Sequence, residues 1–116
     1  MNLEEQKCEA CRRDSPQVTK DEADKLLESL VNWQIIENSG VKKLIKSFSF
    51  EGFMNAMKFA DNVAYISEKD GHHPQLIVDW GKTTVIWWTH KINGLHKNDF
   101  IMAAKTDQII KDVASL

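Results

Sequence analysis

Beyond an unpatterned lead-in, apolar positions alternate between stretches with a period near 3.6 and stretches with a period of 2, and the switches mark the elements. Ala23, Leu26, Leu27 and Leu30 form one stripe at helical spacing. Thr19 with Glu22 three places on has the form of a capping box, so a first helix is expected over residues 20–30. Residues 33–37 read as a short strand, Asn38-Ser39-Gly40 supplies turn chemistry, and residues 41–50 are rich in strand formers, with Leu44, Phe48 and Phe50 sharing parity. The pattern predicts a β-hairpin. From Glu51 the helical period returns through Phe53, Ala56, Met57, Ala60, Val63 and Ala64, and Gly71 is placed to end that helix in a left-handed conformation. Pro74 disfavours helical geometry at His73, which predicts a short extended exit.

Residues 75–80 and 83–90 form a second strand pair around Gly81-Lys82. In the later strand Thr84, Ile86, Trp88 and His90 share one face, and Val85, Trp87 and Thr89 the other, so His90 is expected at the end of a central strand. Asn93-Gly94 breaks that strand. Asn98 or Asp99 can then cap a last helix carrying Phe100, Ile101, Ala103, Ala104, Ile109, Ile110 and Val113. The order α-β-β-α-β-β-α predicts a single α+β domain whose four-stranded, antiparallel-rich sheet has helices packed on one face. Residues 1–18 lack periodicity and contain Ser15-Pro16, which predicts a poorly ordered N-terminal arm ahead of a domain over residues 19–116. So small a sheet leaves two edges, and pairing an edge with a second copy predicts a homo-oligomer, dimer or tetramer.

Composition narrows the partners. The 15 basic and 17 acidic residues give a net charge of −2 and are interspersed, so no basic stripe points to nucleic acid and no cationic amphipathic segment to a membrane. No run approaches the roughly 18 apolar residues of a membrane span, and the acidic start of the chain has no signal-peptide core. Cytoplasm is the expected compartment. Cys8 and Cys11 form a Cys-x-x-Cys, but a structural zinc site needs about four ligands and no second cysteine pair exists, so two reduced thiols on a flexible arm are expected.

Candidate chemistry collects on histidine. Of four histidines in the chain, His72 and His73 stand side by side before Pro74, four residues after Glu68, and His90 follows eighteen residues after His72. Neutral imidazole takes or gives a proton near pH 7. In an extended segment side chains 72 and 73 point to opposite sides, so their roles should differ. Glu68, one helical turn before His72, either accepts a hydrogen bond from an imidazole N–H or is a solvated helix-end acid. Adjacent histidines on extended backbone rarely both ligate one ion, and no helical His-x-x-x-His pair exists, so metal-free acid/base work ranks above a metal site. His96, in a loop after Gly94-Leu95, is read as a surface residue, and the tryptophans Trp33, Trp80, Trp87 and Trp88 as core or interface material of which one or two can stack on a flat heterocycle.

Glu68-Lys69-Asp70-Gly71-His72-His73-Pro74, then Trp80, Thr89-His90, Gly94-Leu95 and Asp99, resemble the pterin-4a-carbinolamine dehydratase family in residue type and spacing. The resemblance runs from about Thr19 to the C-terminus, and Cys8-Glu9-Ala10-Cys11-Arg12 is similar to the N-terminus of bacterial members. It implies the same element order and a metal-free hydro-lyase that needs no cofactor. The substrate would be 4a-hydroxytetrahydropterin, dehydrated to quinonoid dihydropterin after an aromatic amino acid hydroxylase, such as phenylalanine hydroxylase, has acted. By that resemblance His72 and His90 transfer protons and His73 orients the pterin. Gly71, Trp88, Thr89 and Lys91 fall in the segments that line the pterin site, and Glu68, Asp99 and Trp33 are expected in supporting places. Gln75-Leu76 stands where many relatives have Glu-Trp, and Trp80 where the aromatic can be tyrosine. The alternative that the resemblance carries is a non-catalytic dimerisation or regulatory protein, since some animal relatives also serve a homeodomain transcription factor.

Overall fold

A computed structural model describes residues 3–6, 8 and 15–114, with side chains to residue 110. The capping box forms as its spacing predicts: Glu22 N–H donates to Thr19 Oγ1 at 3.1 Å, and Thr19 N–H to Glu22 Oε1 at 3.0 Å. The bond from the Thr19 backbone, followed by that from its side chain, holds the Glu22 carboxyl below its usual range, so the box weakens as pH falls through that lowered value. This box opens α1 (Lys20–Leu27). The helix stops short of residue 30 because Glu28, Ser29 and Leu30 donate to carbonyls three residues back, which tightens the last turn. Asn32, at φ 64°, then reverses the chain.

β1 (Gln34–Asn38) and β2 (Val41–Ser49) are joined by Ser39 and Gly40 at φ 52° and 78°, the pair of left-handed residues that a tight hairpin requires. α2 (Phe53–Asp70) follows, then β3 (Gln75–Asp79) and β4 (Lys82–Trp87). The second hairpin turns on Trp80-Gly81, one residue earlier than the sequence suggests, because Gly81 at φ 75° takes the last turn position. The sheet is antiparallel throughout, in the order β1-β2-β4-β3, so β4 is central as expected and β1 and β3 are edges.

Register decides which face the helices cover. Leu44 pairs with Trp87, Lys46 with Val85 and Phe48 with Thr83, which puts all six on one face. That face meets α2 and α3 (Lys97–Ala114): Thr83 Oγ1 donates to Ala56 O at 2.7 Å, and Trp87 Nε1 to Thr106 Oγ1 at 3.2 Å. Lys46 and Trp33 both reach Asp107, at 2.7 and 2.9 Å. Phe48 packs against Trp33 and Phe59 with ring centroids 6.1 and 4.6 Å away. Leu44, Val63, Val85, Trp87, Phe100, Ile101 and Met102 are fully buried around them. Each large apolar side chain withdrawn from water contributes about 1.5–3 kcal/mol, which is what fixes α3 across the sheet.

Two expectations change. β4 ends at Trp87, and His90 opens a 3-10 turn, His90–Ile92, instead of ending a strand. The cause is the turn beyond it. Asn93 adopts φ 49°, and Thr89 exchanges backbone hydrogen bonds with Gly94 at 2.8 and 3.4 Å, folding residues 90–93 off the sheet. Gln17 lies beneath this loop, donating to Ile92 O at 3.1 Å, and a Cβ at Gly94 would collide with its side chain. The second change concerns α3, which starts at Lys97 with His96 before it, ahead of the Asn98 or Asp99 cap that the sequence suggested.

Half of the N-terminal arm, Cys11 included, lies outside the described residues. Of the described part, Leu3–Glu5 forms a 3-10 turn against α3 with Leu3 buried. Cys8 sits half-buried with its Sγ 4.0 Å from Asn98 O. Burial first, and then the Asp70 charge, push its thiol up to about 11, so the thiolate is scarce at neutral pH. Among the described residues, no helix is long and apolar enough to cross a membrane.

Candidate active site

The exit from α2 is set by one left-handed residue. Gly71, at φ 64° and ψ 29°, lets both its own N–H and that of His72 return to Ser67 O, the second at 3.1 Å. The turned chain carries His72 inward and His73 outward: their side chains are 11% and 56% exposed. The His72 imidazole lies nearly parallel to the buried Trp87 indole, 5.7 Å between centroids and 11° between planes. Its Nε2 is 2.7 Å from Asp99 Oδ1.

Asp99 has no exposed surface and takes hydrogen bonds from three separate segments. Oδ1 faces His72 at the α2 exit; Oδ2 accepts from Thr89 Oγ1 at 2.8 Å and from the His96 backbone N–H at 2.9 Å. A carboxylate buried without donors costs several kcal/mol, and these three contacts replace the water it loses. An ionised carboxylate can only accept. His72 Nε2 must then carry a hydrogen, which leaves Nδ1 as the nitrogen able to exchange a proton. The arrangement is therefore a histidine with its tautomer and ring plane both fixed.

His90 is held differently. It is exposed, stacked on Trp88 at 4.4 Å and 25°, with Lys43 Nζ 4.1 Å from the Trp88 ring centroid. Trp88 follows Trp87 and so starts off toward the face of the sheet away from the helices, the face that Lys43 shares by its register opposite Ile36. His72 and His90 are thus seated on consecutive tryptophans at the end of β4. His73 Nε2 lies 3.5 Å from Glu68 Oε1, both exposed.

The candidate residues accordingly fall into contact groups around one strand end: His72, Asp99, Thr89 and Trp87; His90, Trp88 and Lys43; His73 and Glu68. Glu68 faces His73 and not His72, because the Gly71 turn rotates His72 toward α3. Gly71 acts through its backbone, and Lys91 is exposed on the same turn as His90. Trp33 makes its hydrogen bond away from these groups. It is a core residue bonded to Asp107, eight residues beyond Asp99 on α3 and therefore about 12 Å along the helix. Among the described residues, no three His, Cys, Asp or Glu side chains converge as a metal-binding set.

Three participants were not legible in the sequence. Trp87 is one of several plausible core tryptophans until its neighbour in space is known, and Lys43 is one of many strand lysines. His96, expected at the surface, is half-buried, and its Nδ1 accepts the Asn98 N–H at 3.1 Å. Its one signal was position, immediately before a helix whose third residue is acidic.

The model of the family described as Pterin 4 alpha carbinolamine dehydratase matches residues 16–109. The chain belongs to this family. A relative from Saccharophagus degradans, named provisionally as a pterin-4-alpha-carbinolamine dehydratase, is 51% identical over 108 residues, 93% of this chain and 96% of its own. One from Marinobacter nauticus, named in the same way, is also 51% identical, over 93% of this chain and 97% of its own. The crystal structure of a transcriptional coactivator/pterin dehydratase from Brucella melitensis superposes with a TM-score of 0.73 at 31% identity, covering 81% of this chain and 98% of that one. The α+β fold of this dehydratase-family chain is therefore that of a solved pterin dehydratase structure.

The Asp99 contacts yield a first prediction. Thr89→Val removes one of its three donors at nearly constant volume and should lower stability by about 1–3 kcal/mol in urea unfolding. Thr89→Ser, which keeps the hydroxyl, should recover most of that; equal stability of the Val variant and the parent would show that the bond is idle.

Proposed function

We propose that this protein dehydrates 4a-hydroxytetrahydropterin to quinonoid dihydropterin and water, regenerating the pterin that aromatic amino acid hydroxylases consume. The observation that carries this reading is the Asp99-held imidazole of His72, with His73 and His90 around the same strand end. Family membership supports the substrate class.

The reaction breaks the bond from C4a to the hydroxyl oxygen, and the departing oxygen takes a proton to leave as water. N5 loses its proton, and the electron pair left on nitrogen forms the C=N bond. One group gives a proton and another accepts one, so the net charge of the site is restored after each turnover. Imidazoles suit both tasks because their pKa lies near ambient pH. His72 supports this role through its open Nδ1, Asp99 stabilising the imidazolium whenever Nδ1 is protonated. His90 is the second proton-transfer group, and its place on Trp88 leaves it accessible to a bound ligand. His73 orients the pterin, and Trp88, Thr89, Gly71 and Lys91 shape the surroundings. The pterin enters as substrate, and the proposal needs no other cofactor and no metal. The expected compartment is the cytoplasm, where hydroxylase products would be met.

A second reading, protein binding, is favoured by the outer side of the fold. Met54 and Tyr65 on α2 are 68% and 72% exposed, and Trp80 at the hairpin tip is 77% exposed, an unusual amount of large apolar surface for so small a chain. Together with the free edges of β1 and β3, it supports self-association as part of the proposal, and a regulatory partner would compete for the same surface.

Stopped-flow absorbance of 4a-hydroxytetrahydropterin decay should show acceleration by this protein, and a His72→Ala/His90→Ala double variant should lose it by about 100-fold or more. No acceleration by the parent, or parent rates from the double variant, would remove the dehydratase reading. An inactive chain with saturable binding to another protein would favour the regulatory one. Analytical ultracentrifugation should give a mass of at least two chains; a monomer at micromolar concentration would contradict self-association.

A further inference from the structure

We infer that His96 is a positioning residue for Asp99 and, through it, for His72. This deepens the dehydratase reading and rests on it for its kinetic arm alone. His96 stands at the cap position of α3, and two of its hydrogen bonds run in opposite senses. Its Nδ1 accepts the Asn98 backbone N–H at 3.1 Å, while its own backbone N–H donates to Asp99 Oδ2 at 2.9 Å. The Asp99 backbone N–H in turn donates to His96 O at 3.0 Å. The pattern is that of a capping box with imidazole where serine or threonine is usual. Only a neutral ring with its hydrogen on Nε2 can fill that place.

What separates this cap from an ordinary helix start is its third residue. The carboxylate that closes the box is the one that fixes His72: Oδ2 serves His96 and Thr89, and Oδ1 lies 2.7 Å from His72 Nε2. Asp99 is fully buried, so close packing leaves its carboxylate little room to move apart from the first turn of α3. Removing the imidazole takes away the acceptor that His96 gives the Asn98 N–H and loosens residues 96–99 as a unit. The carboxylate then shifts relative to His72, and a displacement of about 1 Å is enough to disturb catalytic geometry. His96 thus acts on the reaction without touching the substrate.

Three proteins separate positioning from mere stability: the parent, His96→Ala, and His96→Asn, whose side-chain oxygen caps a helix as imidazole does here. Imidazole ¹⁵N chemical shifts and steady-state kinetics are measured on each. In His96→Ala the His72 nitrogens should move toward a mixture of tautomers, and kcat should fall about tenfold with KM within about twofold. His96→Asn should restore both. Parent-like His72 shifts in His96→Ala, or failure of His96→Asn to restore them, would overturn the inference. Should His96→Ala not fold, the parent alone decides: His96 must show an unprotonated Nδ1 and a protonated Nε2, and the opposite tautomer overturns the cap. The nitrogen shifts need no turnover, so a response without dehydratase activity would sink the function while leaving the positioning intact.

Discussion

One buried carboxylate ties the site together. Asp99 joins the exit of α2 through His72, the end of β4 through Thr89 and the start of α3 through His96, all within 2.9 Å. Each partner is a donor, so the carboxylate is stable out of water only while the three segments keep their places. The core beneath them, Trp87 and Phe100 above all, fixes the distance between sheet and helix that the carboxylate spans. Packing sets the frame, and the hydrogen bonds set the orientation of the His72 ring within it.

The consecutive tryptophans at the end of β4 explain how one strand presents two imidazoles in different environments. Trp87 points into the helix-covered face, and His72 lies nearly flat against it, shielded and tethered. Trp88 has the opposite parity, and His90 stacks there in the open, with Lys43 against the same indole. A period of two along one strand thereby becomes a division between a fixed group and an accessible one. Such a pair is suited to a reaction in which one proton leaves the substrate and another is delivered to it.

The element order, the central place of β4 and the first hairpin turn were legible in the sequence, and the second turn to within one residue, because hydrophobic period and turn residues are local signals. The His72-His73-Pro74 run was legible for the same reason: glycine and proline on either side leave the backbone little choice. Partners were harder. Glu68 lies one turn before His72 in sequence, yet Gly71 rotates His72 away from it, a consequence of φ 64° that spacing alone does not reveal. His90 looked like the end of a strand because β propensity continues through Thr89, and only the Thr89–Gly94 pairing folds it into a turn. His96 looked like a surface loop residue because imidazole seldom caps a helix, and the bond that ties Trp33 to Asp107 spans 74 residues. In each case the deciding contact is long-range or depends on a dihedral angle, and neither is written in a pattern.

If the orientation of His72 by Asp99 is what makes this fold a catalyst, the rate of 4a-hydroxytetrahydropterin dehydration by Asp99→Asn measures it most directly. The amide keeps the volume but replaces one acceptor oxygen with a donor that must face Thr89, His96 or His72, all of them donors. The account predicts a fall in kcat of about 100-fold or more with pterin binding largely retained, since the ring that binds is not the group disturbed. A variant that folds, binds pterin and turns over at the parent rate would contradict it.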